Sequence, residues 1–547
     1  MDARLVPLTV SMWLSSALVV YSSGRLNPLA IVVLLAVALA ALFIVPPMPI
    51  RTAVLSVAVG VSVGSCFALL RTIPLHSSVI EQAQIDNRIV EIEGYVVSDP
   101  IEFERKQALD WSIQSASVVE ISTRGMTVGD EITTLRLPLS VFSTSQTADD
   151  IAKLIPGTHV HVIGKLKPAN PGRKYAASMN ATAIDIRAGP PRYQVASSQL
   201  RNGLHTALEN SDSAAQGLVP GLALGDSSEL NAGLKQEMRA AGLTHLVAVS
   251  GTNVALLLAF VHHFTYRRSL RTQFVISLVT LAGYVVLVRP QPSVVRAAAM
   301  AIIVLMAHST HWRLHALPAL CSAVVLLLAV DPWLATSFGF VLSVLATAGL
   351  VTTASRLQTS LERTLPQRIP QWVVELLALT TAAQLAVLPV VIGLGSRISL
   401  ASIPANVLAV PLATPAMFSG LAAGVCAIVS IPLAQIVALP GVWAAQAIAH
   451  VAHLSTQSTA LTITFPAGIA GVVTAILVVA ALGHMWKRWR TADAEQRKFI
   501  ATFLAVFVFL TWWRPDFSFT QWPAANWRFV VCDVGQGDGL VLRTGEN

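Results

Sequence analysis

Charge is scarce in this chain. Asp, Glu, Lys and Arg make up 12% of its 547 residues, about half their share in an ordinary soluble domain. With 54% hydrophobic residues beside so little charge, a soluble globular class is excluded and a polytopic membrane protein is implied. Cysteine is scarce as well. Cys66, Cys321, Cys426 and Cys532 are widely scattered, three of them inside apolar runs, which excludes both a disulfide framework and a zinc-ligand spacing. The phosphate-binding pattern GxxxxGK[ST] does not occur, so energy for any transport must come from a partner. The first apolar run lacks a small-residue cleavage site followed by polar chain, and it is expected to stay in the mature protein. No cofactor is implied.

What is present begins with three apolar segments, Val6 to Tyr21, Leu29 to Val45 and Ala53 to Leu70, each near the length needed to cross a bilayer. A polar region follows, about Ile80 to Tyr193. Its stretches NRIVEIEGYVV, WSIQSASVVEIST, TLRLPLSVFS, GTHVHVIGKLKP and ASMNATAIDIRA alternate apolar and polar positions between turn residues. They predict five strands, which suit a small OB-like barrel or another small sandwich. In GDSSELNAGLKQEMRAAGLTH, Asp226 and Glu229 suggest a capping box, and Leu230, Leu234 and Met238 share one helix face. This amphipathic helix is expected either at the membrane surface or docked on the bundle.

Further apolar segments run over 246–264, 274–288, 294–308, 317–330, 334–351, 373–394, 400–429, 433–451, 467–483 and 499–513. Pro404, Pro411, Pro415 and Gly441 predict broken helices in the later ones, tolerated only where protein or a watery path surrounds the backbone. The expected fold class is an α-helical polytopic membrane protein with a small extracytoplasmic β-barrel insert. Its expected domains are membrane helices at 1–79, the barrel at 80–193, an amphipathic connector at 194–245, a transmembrane domain at 246–515 and a fragment of a further domain at 526–547.

The +8 formal charge does not by itself point to nucleic acid. Between Glu81 and Tyr193 there are 12 Lys or Arg against 14 Asp or Glu, so the remainder carries +10, placed in loops between apolar segments. Positive-inside topology accounts for that pattern. TYRRSLRT, SRLQTSLERTLPQR and HMWKRWRTADAEQRK are the most basic loops, with an even number of segments between each pair, so all three are expected in the cytoplasm. The barrel and the C-terminus are then expected outside, in a multi-pass protein of the plasma (inner) membrane.

The stretch LALGDSSELNAGLKQEMRAAGLTHLVAVSGTNVALL, with VRAAAM at Val295, GFVLSVLATAGL at Gly339 and PANVLAVPLATP at Pro404, resembles the competence domain of the ComEC family of DNA-uptake channels. The family order, three N-terminal spans, an OB-like insert and CDVGQGDG before a metallo-β-lactamase-like fold, covers nearly the whole chain. Departures are Asn253, where many members have His, and Val341, where many have Gln. The family's metal ligands lie downstream of DVGQGD, so the resemblance implies a chain truncated at the start of that domain, without hydrolase chemistry of its own. It also implies passage of single-stranded DNA to the cytoplasm during transformation, with a DNA receptor outside, a motor ATPase inside and a possible homo-oligomer. A secondary transporter of a small solute is the alternative, weakened because Glu375 and Asp331 fall near span ends. A membrane-anchored nuclease that has lost its catalytic domain is the other.

The residues selected for a DNA path are His245, Ser250, Gly251, Asn253, Arg296 and Asn406, polar or small groups within or beside apolar segments. Helix-to-helix hydrogen bonding is their structural alternative. Lys165, Lys167, Arg173, Lys174 and Tyr175, grouped around one barrel loop, suit phosphates and a stacked base, or are simply a solvated hairpin. His308, His311 and His315 are expected at the membrane interface rather than around a metal.

Overall fold

A computed structural model describes residues 4–22, 50–289, 292–309, 315–394, 398–457, 462–463, 468–491, 529–533 and 538–542. Short breaks fall at 77, 87, 107–112, 129–130, 135, 144–146, 171, 248–249 and 400. The expected segments 29–45 and 499–513, His311 and the side chain of His308 lie outside the described residues. The chain divides into two units, residues 1–458 with 462–473, and 459–461 with 474–547.

The first unit opens with helices α1 (Val6–Tyr21), α2 (Ile50–Thr72) and the short α3 (Ser78–Ile85). Helices α1 and α2 meet through small residues. A Cβ added at Gly60 or Gly64 would stand 2.0 Å from Ser11 Oγ or 2.4 Å from Ser15 Oγ, and Ser16 Oγ donates to the Gly64 carbonyl at 3.3 Å. Apolar side chains gain nothing from leaving lipid, so close backbone approach is what makes such a pair stick.

Next come β1 (Ile89–Val96), β2 (Ile101–Lys106), β3 (Ile113–Val128), β4 (Glu131–Thr133), β5 (Pro138–Phe142), α4 (Ala148–Ala152), β6 (His159–Pro168) and β7 (Ala177–Ala188). Alternate residues of β1 are buried, as its sequence pattern demands. Strand β1 pairs with β3 and with β6, β6 with β7, β7 with β5 in parallel, and β5 with β3. The pairings therefore return to their starting strand, and Val90, Ile92, Val119, Ile121, Val141, Val160, Val162 and Met179 fill the space enclosed. The expected strands all form; β2 and β4 are additional.

The helical part contains α5 (Arg192–Leu208), α6 (Ser213–Leu224), α7 (Ala232–Ala240), α8 (Thr244–Val247), α9 (Gly251–Thr265), α10 (Leu270–Val288), α11 (Pro292–Ser309) and α12 (Ala316–Val330). They are followed by α13 (Phe338–Gly349), α14 (Ser355–Thr364), α15 (Gln371–Gly393), α16 (Ser402–Ala427), α17 (Ile431–Thr456) and α18 (Ile469–Thr491). A π turn at Leu350–Ala354 joins α13 to α14. By length and composition, six described helical stretches can cross a membrane: Thr52–Leu75, Leu270–Val288, Phe338–Thr364, Gln371–Gly393, Ser402–Ala427 and Ile431–Thr456. The chain is an α-helical multi-pass membrane protein with a small sheet region.

Three local expectations are corrected. Helix α16 is continuous despite its prolines. Pro404 occupies the first turn, where a missing N–H costs nothing, and the carbonyls freed by Pro411 and Pro415 lie inside a bundle that can re-satisfy them. The apolar run 246–264, expected as one span, is instead interrupted: α8 ends at Val247, Ser250 is extended (φ −99°, ψ 164°), and α9 begins at Gly251. Asp226 and Glu229 form no capping box. Asn231 caps α7, accepting from the Gly233 N–H, while Leu230 and Met238 pack into the core formed with α16 and α17.

In the second unit, β8 (Phe529–Asp533) and β9 (Asp538–Leu542) pair antiparallel, one residue earlier at the second strand than the alternation predicts.

Candidate functional site

Three of the six path candidates, Ser250, Gly251 and Asn253, lie at the start of α9, and a fourth, Arg296, reaches it from α11. Ser250 stands at the N-cap, but its hydroxyl donates to Asn253 Oδ1 at 3.1 Å rather than accepting from the helix. Asn253 Nδ2 in turn donates to the Leu222 carbonyl of α6 at 3.1 Å. Arg296 on α11 is 4% exposed. Its Nε donates to Ser343 Oγ at 2.9 Å and its Nη1 to Thr347 Oγ1 at 3.2 Å, both on α13. Among the described residues it has no carboxylate partner, although burial of an unpaired charge is costly.

Gly251 makes the approach of Arg296 to α9 possible. A Cβ there would stand 3.3 Å from Arg296 Nη2, tight for any larger residue. Tyr284, buried on α10, has its hydroxyl near Asn253 without meeting strict hydrogen-bond geometry. His245 and Asn406 belong to a different group. His245 is exposed and hydrogen-bonds the Gly242 backbone, and Gly242 lies against Ser402 at the start of α16. Asn406 is 3% exposed and donates to the Ser402 carbonyl one turn back at 2.7 Å, while Gln384 Nε2 donates to Ser402 Oγ at 2.8 Å.

A second polar cluster, absent from the sequence candidates, joins the sheet region to the helices. Arg201 of α5 donates to Asp226 Oδ2 at 2.7 Å and to the carbonyls of Leu224 and Leu287, terminal acceptors of α6 and α10 that a cation suits well. Arg289 donates to Asp99 Oδ2 at 2.9 Å, to Ser198 Oγ at 3.3 Å and to Gln194 Oε1. Its backbone has φ +71°, the one positive φ among described non-glycine residues, a conformation that costs about 1–3 kcal/mol. Three side-chain bonds hold it there.

His205 Nε2 stands 3.2 Å from Asp226 Oδ2, and its Nδ1 lies 3.1 Å from Glu229 Oε1 without hydrogen-bond alignment. Burial pulls the His205 pKa down, but the hydrogen bond and charge of Asp226, with Glu229 beyond, outweigh it and raise the value. For Asp226, burial works upward and is overcome by His205, Arg201 and the Ser228 hydroxyl and N–H, which hold it far below the usual carboxylate range.

The loop candidates divide. Lys165, Lys167 and Arg173 are exposed. Lys174 Nζ and the Tyr175 hydroxyl instead both donate to Glu120 on β3, and burial, then the Glu120 hydrogen bond and charge, raise the Tyr175 pKa. A cavity of about 400 Å³ lies beside this loop, lined by Asn170, Arg173 and Tyr175 together with His76, Gln84 and Trp333. Among the described residues no three His, Cys, Asp or Glu side chains gather at metal-binding spacing.

Comparison with known proteins places this geometry. Residues 222–490 match the family model described as Competence protein. The ComE operon protein 3 of Bacillus subtilis (strain 168) is 28% identical over 211 residues, 38% of this chain and 26% of that protein. Over residues 222–490, just under half of its length, this chain is similar to the family of competence proteins. Its match therefore spans about a quarter of the length of the curated relative. A solved structure, the small single-stranded DNA-binding protein from Streptomyces coelicolor, aligns with 18% of this chain and 90% of its own at 19% identity and a TM-score of 0.13, a score too low to bear on fold or ligand. The family domain holds Asp226, Ser250, Gly251, Asn253, Arg289, Arg296 and Asn406, whereas Asp99, Arg201 and His205 precede it. Arg201 and His205 are four apart on one helix face, a spacing visible in the sequence; their acidic partners, 21 to 102 positions away in sequence, were not.

Proposed function

We propose that this chain acts in competence and DNA uptake by carrying single-stranded DNA across the plasma membrane to the cytoplasm. Arg296 is the observation that carries this reading: a buried cation among membrane helices, with hydroxyl neighbours and no acid among the described residues. A polyanion is the substrate for which such a group is useful. The break between α8 and α9 beside it is the kind of irregularity tolerated at membrane depth where the chain lines a path. In this reading the barrel-forming region is OB-like and extracytoplasmic, as its circuit of strand pairs and the positive loops support. Lys165, Lys167 and Arg173 receive the strand outside, and a receptor there and a cytoplasmic motor ATPase complete the route.

The test uses a transformable host lacking its own copy and supplied with this chain or its variants. Surface-bound and nuclease-protected labelled DNA are counted separately, with membrane abundance by immunoblot. R296L and N253L are expected to lower protected DNA at normal surface binding and normal abundance. Normal uptake in both at normal abundance would sink the path through this cluster.

A further inference from the structure

The start of α9 and Arg296 present positive potential to the same small space. Helix α9 is 15 residues long, enough for an appreciable dipole, and its first N–H groups have no partner within the helix. Ser250, the residue placed to cap them, makes no such bond and points its hydroxyl at Asn253 instead. Arg296 is 96% buried by its 4% exposure. Its Nε and Nη1 are taken by Ser343 and Thr347, while Nη2 lies 3.3 Å from the point a Gly251 Cβ would occupy. Nη2 has no hydrogen-bond partner among the described residues. Thr252, next in the helix, is exposed, so the space can be reached.

An uncapped helix start and a buried cation without an acid repel one another unless an anion stands between them. We infer that the Gly251 and Thr252 N–H groups and Arg296 Nη2 form a site for one phosphodiester group of the strand. Backbone donors at a helix start and a guanidinium edge both match a tetrahedral oxyanion, and interrupted membrane helices use their half-helix starts for anionic groups in this manner. The absence of a side chain at Gly251 leaves the room. The inference rests on the proposed passage of DNA, and inorganic phosphate shares the required chemistry.

The experiment uses the purified full chain in detergent. Binding of a labelled oligothymidylate is measured over a range of salt, beside a methylphosphonate oligomer of the same length and, by thermal shift, inorganic phosphate. R296Q is expected to weaken the oligothymidylate roughly tenfold, to flatten the plot of log affinity against log salt by about 0.7, the value for one phosphate contact on a single strand, and to abolish the phosphate-induced shift. The methylphosphonate oligomer should be indifferent to the change. R296K guards against misfolding: it keeps the salt slope and loses affinity, because a charge remains without the planar fork. Unchanged slope and affinity in R296Q, or an equal loss with the methylphosphonate, would overturn the site. A flattened slope with normal internalised DNA in cells would leave the anion site standing and remove the passage reading.

Discussion

The two charged clusters of this protein are built on opposite rules. At the junction of sheet and helices, Arg201, Arg289 and His205 face Asp99, Asp226 and Glu229, and nearly every donor has an acceptor. Inside the helical part, Arg296 has hydroxyls and a sulfur but no acid among the described residues. A paired cluster is complete in itself and acts as a clasp. A lone buried charge lacks that internal balance, and in the proposed reading an anion from outside the fold supplies it.

Breaking the clasp should have the largest effect. D226A leaves Arg201 and His205 buried without their shared carboxylate, and removal of one partner of a buried pair costs about 3–5 kcal/mol. The expected outcome is a strongly lowered melting midpoint and little protein in the membrane. Wild-type stability in D226A would show that the cluster is ornamental.

R296M sharpens the contrast from the other side. Replacing an uncompensated buried cation by an apolar chain of similar length should leave stability unchanged or raise it by about 1–4 kcal/mol, while internalised DNA falls. Thr347 already donates to the Ser343 carbonyl, so its hydroxyl keeps a partner when Arg296 is removed. A large loss of stability in R296M would place Arg296 with the clasp.

D99N is a milder test, since Asp99 is 37% exposed at its side chain. A cost of about 1–2 kcal/mol is expected from weaker bonds to Arg289 and Arg201. Limited proteolysis between the sheet region and α5 should speed up before global unfolding does; unchanged cleavage would free Asp99 of this role.

The smallest effect is with pH. His205 has a folded pKa above its ordinary 6.5, so its contribution is complete below that value and is lost as pH rises through the folded one. Asp226 is depressed, and its contribution holds above its ordinary 3.8 and is lost only in stronger acid. The clasp is therefore tightest between these limits. The melting midpoint should decline on going from pH 6 toward the alkaline side, and H205Q should remove that slope. An unaltered slope in H205Q would assign it to another group.

Composition and periodicity alone determined that this is a multi-pass membrane protein with a strand-rich insert, because apolar length and two-residue alternation are local properties that lipid and sheet each read directly. Together with the family resemblance they also selected Ser250, Asn253 and Arg296, since a polar group inside an apolar run is conspicuous wherever it occurs. They misjudged α16, where proline's local cost was outweighed by a bundle able to satisfy the freed carbonyls, and the run 246–264, where continuous apolarity hid a break. Tertiary structure alone decided that Arg201, Arg289 and Asp226 form one cluster while Lys174 and Tyr175 are held by Glu120. Those pairings join residues from 25 to 190 positions apart, and a charge's partner is set by the packing of whole elements, which no local pattern encodes.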